Sequence, residues 1–229
     1  MNGVAARLAA VLGRIDAAAV RAGRDPASVR LVGASKLQPV GALREAFAAG
    51  LARFGENRVQ EAQAKAQQLP PAAEWHLLGP LQSNKVRAAL RLFAVFHAVD
   101  RASIAAALDA EARAQGRTAV GLLEVNLGGE ASKHGFDPAT LAGAAAPLAA
   151  LQDLRIVGLM TIPPPEPTAE ASRVWFRRLR ELRDALNARP EWGGRLRELS
   201  MGMSEDFEVA VEEGATYVRV GTSLFGARP

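Results

Sequence analysis

From about residue 29 onward the chain alternates between two rhythms: short, nearly continuous apolar runs, and longer stretches in which apolar positions return every three or four residues. Eight of the short runs read as strands: "VRLVGAS" (29–35), "ARFGEN" (52–57), "EWHLLG" (74–79), "AVFHAVD" (94–100), "AVGLLEVNL" (119–127), "LRIVGLMTI" (154–162), "RELSMG" (197–202) and "TYVRVGTSLFG" (216–226). Each of the first seven is followed by a helical stretch, most clearly "VGALREAFAAG", "VQEAQAKAQQL", "SNKVRAALRLF" and "SEDFEVAVEEGA". Strands that are apolar throughout are covered on both faces, and the strand–helix–strand order requires parallel crossovers. Eight such units predict an α/β fold, a (β/α)8 TIM barrel. A doubly wound open sheet is the second choice, since the early Gly-x-Gly-x-x-Gly turn expected of it is missing. Ahead of the first strand, Arg7, Arg14 and Arg21 recur every seven residues and share one helical face, which predicts an extra amphipathic N-terminal helix packed on the barrel.

Composition narrows this picture. At 229 residues and 49% hydrophobic the chain can bury the core of one large domain or two small ones. It holds no Ser/Gly linker, charge block or low-complexity run beyond alanine-rich helical stretches, so a single domain over 1–229 is expected. The absence of cysteine excludes disulfides and thiolate metal sites and fits a reducing, cytoplasmic setting. Arg7, Arg14 and Asp16 interrupt any apolar run long enough for a signal segment, and nothing approaches a membrane span. The net charge of +4 is no nucleic-acid signature: arginines alternate with acids, as in "RRLRELRDAL" (177–186), and aromatic residues make up only 5% of the chain.

A barrel collects its chemistry at the C-terminal ends of its strands. Those ends carry Lys36, Asn57, Gly79, Asp100, Asn126, Thr161, Ser200 with Gly202, and Gly221 with Thr222. Lysine is scarce here, occurring only at Lys36, Lys65, Lys85 and Lys133, so a lysine closing the first strand stands out. Small residues and hydroxyls after strands seven and eight let backbone amides approach a phosphate, and "LSMGMSED" adds a helix start with Ser204 as N-cap. Arg219 and Ser223 accompany Gly221 and Thr222 in "VRVGTSLFG". Either segment alone reads as an ordinary strand-to-loop transition; together they point to a phosphate. A phosphate facing a lysine outlines a pyridoxal 5'-phosphate site, because a lysine in apolar surroundings can lose its proton and attack an aldehyde to form a Schiff base, which arginine cannot do. A phosphosugar barrel enzyme using Lys36 for an aldolase-type Schiff base remains open at this point.

The stretches "LVGASK", "FGENRVQEA", "WHLLGPLQSNKV", "GLMTIPPP" and "LSMGMSEDFEVAVEEGATYVRVGTSLFGAR" run in order from the first strand to the end of the chain. In them the sequence resembles the pyridoxal phosphate homeostasis proteins (the YggS/PROSC type), whose barrel is similar to the N-terminal domain of fold-type III alanine racemases. The resemblance implies that Lys36 forms the internal aldimine, that Ser200, Gly202, Gly221 and Thr222 hold the phosphate, and that Arg219 lies near the pyridine ring or the phosphate. It further implies that Asn57 and Met160 line the cofactor's faces. Gln38 stands where a second lysine is frequent, which removes an auxiliary contact. The implied role is to buffer pyridoxal phosphate or deliver it to apo-enzymes, in vitamin B6 homeostasis. A racemase of this fold also needs a second acid/base, a tyrosine from an additional β-domain, and here the sole tyrosine, Tyr217, begins the last strand at the wrong end. His76 and His97 sit in apolar strands, as packed, hydrogen-bonded histidines do, and lack metal-ligand spacing. A protein without strong catalytic activity is therefore expected, with a small pyridoxal-phosphate-dependent racemase-like enzyme as the alternative, and a monomer because the racemase pairing domain is missing. The loop "GGEASKHGF" (128–136), with its Gly pair and Lys133, fits a mobile lid or a partner contact as well as a solvated loop.

Overall fold

The structure, a computed structural model, describes residues 3–130 and 134–227. Eight strands alternate with helices after an N-terminal helix α1 (Val4–Arg21): β1 (Arg30–Ala34), α2 (Val40–Ala48), β2 (Arg53–Glu56), α3 (Val59–Ala66), β3 (Glu74–Leu77), α4 (Val86–Leu90), β4 (Phe93–Val99), α5 (Ala102–Ala114) and β5 (Ala119–Glu124). They continue with α6 (Pro138–Ala149), β6 (Leu154–Met160), α7 (Arg173–Asn187), β7 (Glu198–Ser200), α8 (Phe207–Glu212), β8 (Tyr217–Val220) and α9 (Thr222–Phe225). All pairings are parallel, and β8 pairs with β1 to close the barrel. Of the lid loop of the sequence reading (128–136), residues 131–133, Lys133 included, lie outside the described residues.

Burial follows the two rhythms. Strand residues pointing outward join helix residues in one large apolar layer, while Val32, Leu78, Val95, Ala98, Leu122, Met160 and Tyr217 form a smaller cluster inside the barrel. In α1 the buried residues Val4, Leu8, Val11, Ile15, Ala18 and Ala19 trace one stripe. Beside it the seven-residue arginine face docks the helix onto the end of the chain: Arg7 donates to the carbonyls of Leu224 and Phe225, Arg14 pairs with Glu208, and Arg21 with Glu212. The arginines of α7 likewise serve packing, since Arg173, Arg177 and Arg180 converge on Glu213.

Two departures from the sequence reading have local causes. The last strand is far shorter than 216–226: it stops at Val220, and Thr222–Phe225 coil into α9, which turns Leu224 and Phe225 into the apolar layer contacted by α1. Ser204 does not cap α8, which starts only at Phe207 behind Asp206 and has no side-chain cap. Close strand packing also explains Gly158, because a Cβ there would lie 1.9 Å from the Glu198 carbonyl oxygen on β7. No helix among the described residues is long and apolar enough to cross a membrane.

Candidate functional site

A cavity of about 850 Å³ opens at the C-terminal end of the barrel, within the usual range for small-ligand sites. Of the predicted residues, Lys36, Asn57, Arg219, Gly221 and Thr222 line it. Met160, Ser200 and Gly202 do not: Met160 is buried in the inner cluster with Leu78, which does reach the wall, and Ser200 is buried among polar partners. Gly202 turns the chain out of β7 at φ +90°, pressed so closely on Phe207 and Ala210 that a Cβ would lie 2.5 Å from the Ala210 methyl. The rest of the wall includes Gln38, Ile162, Pro164, Met203, Ser204 and Asp206.

Lys36 lies two residues past the end of β1 and is half-buried. The residues on either side of it are held by a buried charge cluster. Lys65 of α3 donates through Nζ to the Ser35 carbonyl, to Glu56 Oε1 and to Glu61 Oε1, each at 2.7 Å. Ser35 Oγ donates to the same Glu56 oxygen, and the amide of Leu37 donates to Glu61, both at 2.7 Å. Leu37 adopts φ +61°, the only non-glycine residue with positive φ among those described, a conformation that costs energy unless its surroundings impose it. The three protons of the Lys65 ammonium match three acceptors, so this amine is committed to structure. Burial pushes the Glu56 carboxyl up, and the hydrogen bonds from Lys65 and Ser35 offset part of that rise. Sequence reading missed this clamp; the one available hint was the pairing of Glu61 and Lys65 one helical turn apart, with Glu61 five residues beyond the strand-end Glu56.

At the opposite side, the amides of Gly221 and Ser223 both donate to Ser204 Oγ, at 3.3 and 3.2 Å. Two backbone donors thus converge on one oxygen, the arrangement a phosphate oxygen takes up. Asp206 accepts from the Met203 amide at 2.7 Å and fixes the loop that carries Ser204.

Arg219 is almost wholly buried, and burial pulls its pKa down to about 10, with Asp206 and Glu124 acting in the other direction; it is a cation at neutral pH. It donates to Ser200 Oγ at 2.7 Å and to the Thr161 carbonyl at 2.9 Å. Glu124, at the end of β5, is pushed up to about 7 by burial and by the negative charge of Asp100, and its Oε2 is buried without a hydrogen-bond partner. Deeper in the barrel His97 Nδ1 meets Ser200 Oγ at 2.7 Å, His97 Nε2 meets His76 Nδ1 at 2.8 Å, and His76 Nε2 meets Glu74 Oε1 at 2.6 Å. Both histidines are packed and hydrogen-bonded, as their strand context suggested. Tyr217 lies at the far end of the barrel, edge-on to both imidazoles and beneath the Arg30 guanidinium. No group of three His, Cys, Asp or Glu among the described residues is placed to hold a metal ion.

Residues 8–229 match the family model for the alanine racemase N-terminal domain. The chain is 49% identical to a pyridoxal phosphate homeostasis protein of Pseudomonas aeruginosa, over 100% of this chain and 97% of the relative. It is also similar to the structure of PipY of Synechococcus elongatus with pyridoxal phosphate bound, at 44% identity and a TM-score of 0.85, over 97% of this chain and 100% of that one. An alanine racemase of Clostridium difficile shares the fold at 16% identity and a TM-score of 0.72; the match covers 97% of this chain but only 56% of the racemase.

Proposed function

The chain belongs to the alanine racemase N-terminal-domain family, and from that premise we propose that it binds pyridoxal 5'-phosphate at Lys36 and serves intracellular homeostasis of that cofactor. The observation that carries this reading is one cavity wall bearing Lys36, the buried cation Arg219, and the Gly221–Thr222 turn. When bound, the cofactor supplies an aldehyde that condenses reversibly with an amine.

The protein's own groups divide the remaining work. Lys36 supplies the amine, on a backbone segment that the Lys65 clamp keeps in place. Gly221 and Thr222, with the Ser223 amide, would hold the phosphate, with the amides of Gly221 and Ser223, which donate to Ser204 Oγ here, as its backbone donors. Asn57 and Arg219, on the wall, would contact the cofactor, Asn57 at a face and Arg219 near the ring or the phosphate. Met160, Ser200 and Gly202 support that wall from behind: Met160 packs under Leu78, Ser200 binds Arg219, and Gly202 shapes the turn into the Ser204 loop.

The same barrel serves as a reversible store, buffering cofactor or handing it to apo-enzymes, as a cytoplasmic monomer of a single domain over 1–229 that engages neither nucleic acid nor membrane. Racemisation needs a second acid/base at the substrate; Tyr217 is at the other end of the barrel, Glu124, which titrates in a useful range, is not on the cavity wall, and Asp206, which is, is tied to the Met203 amide. Purified protein loaded with cofactor is therefore expected to leave L-alanine optically unchanged. The decisive experiment for binding is an absorbance spectrum with pyridoxal phosphate before and after borohydride, followed by peptide mapping. A single reduced adduct on Lys36, lost in Lys36→Ala, is expected. No adduct, or one scattered over Lys85 and Lys133, would remove the reading and favour the aldolase-type barrel.

A further inference from the structure

Below Ser200 and Arg219, the hydrogen-bonded column that crosses the barrel interior has no role in the function proposed above, yet it joins the two ends of the bore. It begins at Glu74, the first residue of β3, whose side chain is partly exposed at the N-terminal mouth. It passes through His76 of β3, His97 of β4 and Ser200 of β7, and ends at Arg219 of β8, on the cavity wall. Its four links measure 2.6, 2.8, 2.7 and 2.7 Å.

The chemistry of its two ends dictates where every proton sits. A guanidinium only donates, and an ionised carboxylate only accepts. Ser200 Oγ accepts from Arg219, so the hydroxyl proton goes to its remaining neighbour, His97 Nδ1. His97 then carries its proton on Nε2 and donates to His76 Nδ1, and His76 carries its proton on Nε2 and donates to Glu74. The reversed order would require a protonated Glu74 and would leave the Ser200 proton in a buried site with no acceptor. A cationic histidine would place an extra charge in the core, and burial opposes that at both imidazoles. At His76 burial outweighs Glu74, which favours the cation, while Arg30 on β1 and Arg53 on β2 oppose it; Arg30 is itself paired with Glu198 on β7. One order therefore satisfies every link: cation, hydroxyl, two neutral imidazoles, carboxylate.

We propose that Glu74, His76, His97 and Ser200 form a positioning column for Arg219, a one-way chain of donors that holds its guanidinium at a fixed angle on the cavity wall and commits the Ser200 hydroxyl inward. Through this column, residues at the far mouth of the barrel set the orientation of a cation at the cofactor site. The inference deepens the proposed function and rests on it for its effect on cofactor, but the proton order is a property of the protein alone.

The test has two arms. In cofactor-free protein, nitrogen-15 correlation spectra of the histidine rings are expected to show His76 and His97 as neutral Nε2–H tautomers at neutral pH. A proton on His97 Nδ1, or a cationic ring at neutral pH, would overturn the column. In the second arm, His97→Leu removes the acceptor for Ser200, whereas His97→Gln can restore it, its amide oxygen facing Ser200 and its NH2 facing His76. His97→Leu is expected to weaken pyridoxal phosphate binding roughly tenfold, the scale of disturbing one charge-assisted buried hydrogen bond, and to shift the absorption maximum of bound cofactor. His97→Gln is expected to recover both. Equal loss in both variants, or none in either, would sink the positioning role while wild-type trapping on Lys36 left the binding function standing. Failure of that trapping with the tautomers as described would sink the binding function alone.

Discussion

Replacing Lys65 with methionine tests the clamp around Lys36 directly. The substitution keeps most of the aliphatic stem and removes the ammonium, leaving Glu56 with a fully buried carboxylate and Glu61 and the Ser35 carbonyl each short of a donor. Breaking one side of a buried ion pair costs about 3–5 kcal/mol. Burial already displaces Glu56 upward, and losing Lys65 removes the main group that pulls it back, so the loss is taken at the lower end, about 3 kcal/mol. In a chain of this size that corresponds to a midpoint lower by about 6–12 °C. Urea unfolding followed by fluorescence of Trp75, Trp175 and Trp192 measures it. The double variant Glu56→Gln with Lys65→Met removes the orphaned charge together with its partner and is expected to recover at least about 1 kcal/mol. Because the clamp fixes Ser35 and Leu37 on either side of Lys36, the single variant is also expected to load cofactor about tenfold more weakly, one lost charge-assisted contact. A stability within about 0.5 kcal/mol of the parent, the ordinary range for surface changes, or a double variant no more stable than the single one, would refute the clamp.

Glu124 gives the protein an expected pH slope. Its folded pKa of about 7 stands above the ordinary 4.5, so the folded state holds a proton that the unfolded chain releases; the stabilisation is full below pH 4.5 and is lost as pH rises through 7. At about 1.4 kcal/mol for each pH unit, on the order of 3 kcal/mol disappears across that window, and Glu124→Gln, neutral throughout, is expected to flatten this part of the slope in urea titrations at a series of pH values. Gly158→Ala places a methyl against the Glu198 carbonyl between β6 and β7, and a loss of at least about 3 kcal/mol by the same measurement is expected; a mild variant would mean that the two strands part more easily than their register implies.

The barrel was legible because its evidence is local: apolar runs and helical periods alternate, and eight of each arrive in order. Strand ends were found to within a few residues, except where Gly221 lets the chain leave β8 and coil. There "TSLF" is as apolar as a strand, and only its docking against α1 decides that it is a helix. Part of the cavity wall was equally visible, since a strand end on a barrel faces Lys36, Asn57, Arg219, Gly221 and Thr222 towards the cavity that they line. Ser200 and Met160 showed the limit of that rule. Alternation gives the side of the sheet, inside, but not the depth, and both lie below the cavity floor. The partners that make up the clamp and the column were not legible. Lys65 reads as one more helical cation until the fold sets it against Glu56 and Ser35, and the contact between His97 and Ser200 spans 103 positions in the chain.

The inner cluster and the imidazole column have a consequence for traffic. Tyr217, both histidines and their apolar neighbours fill the lower bore, so whatever enters from above leaves from above. A vessel with one door cannot be filled and emptied at the same time. Under the proposed function, a recipient would have to come to the face through which the cargo arrived, and while there it would shut out the next load.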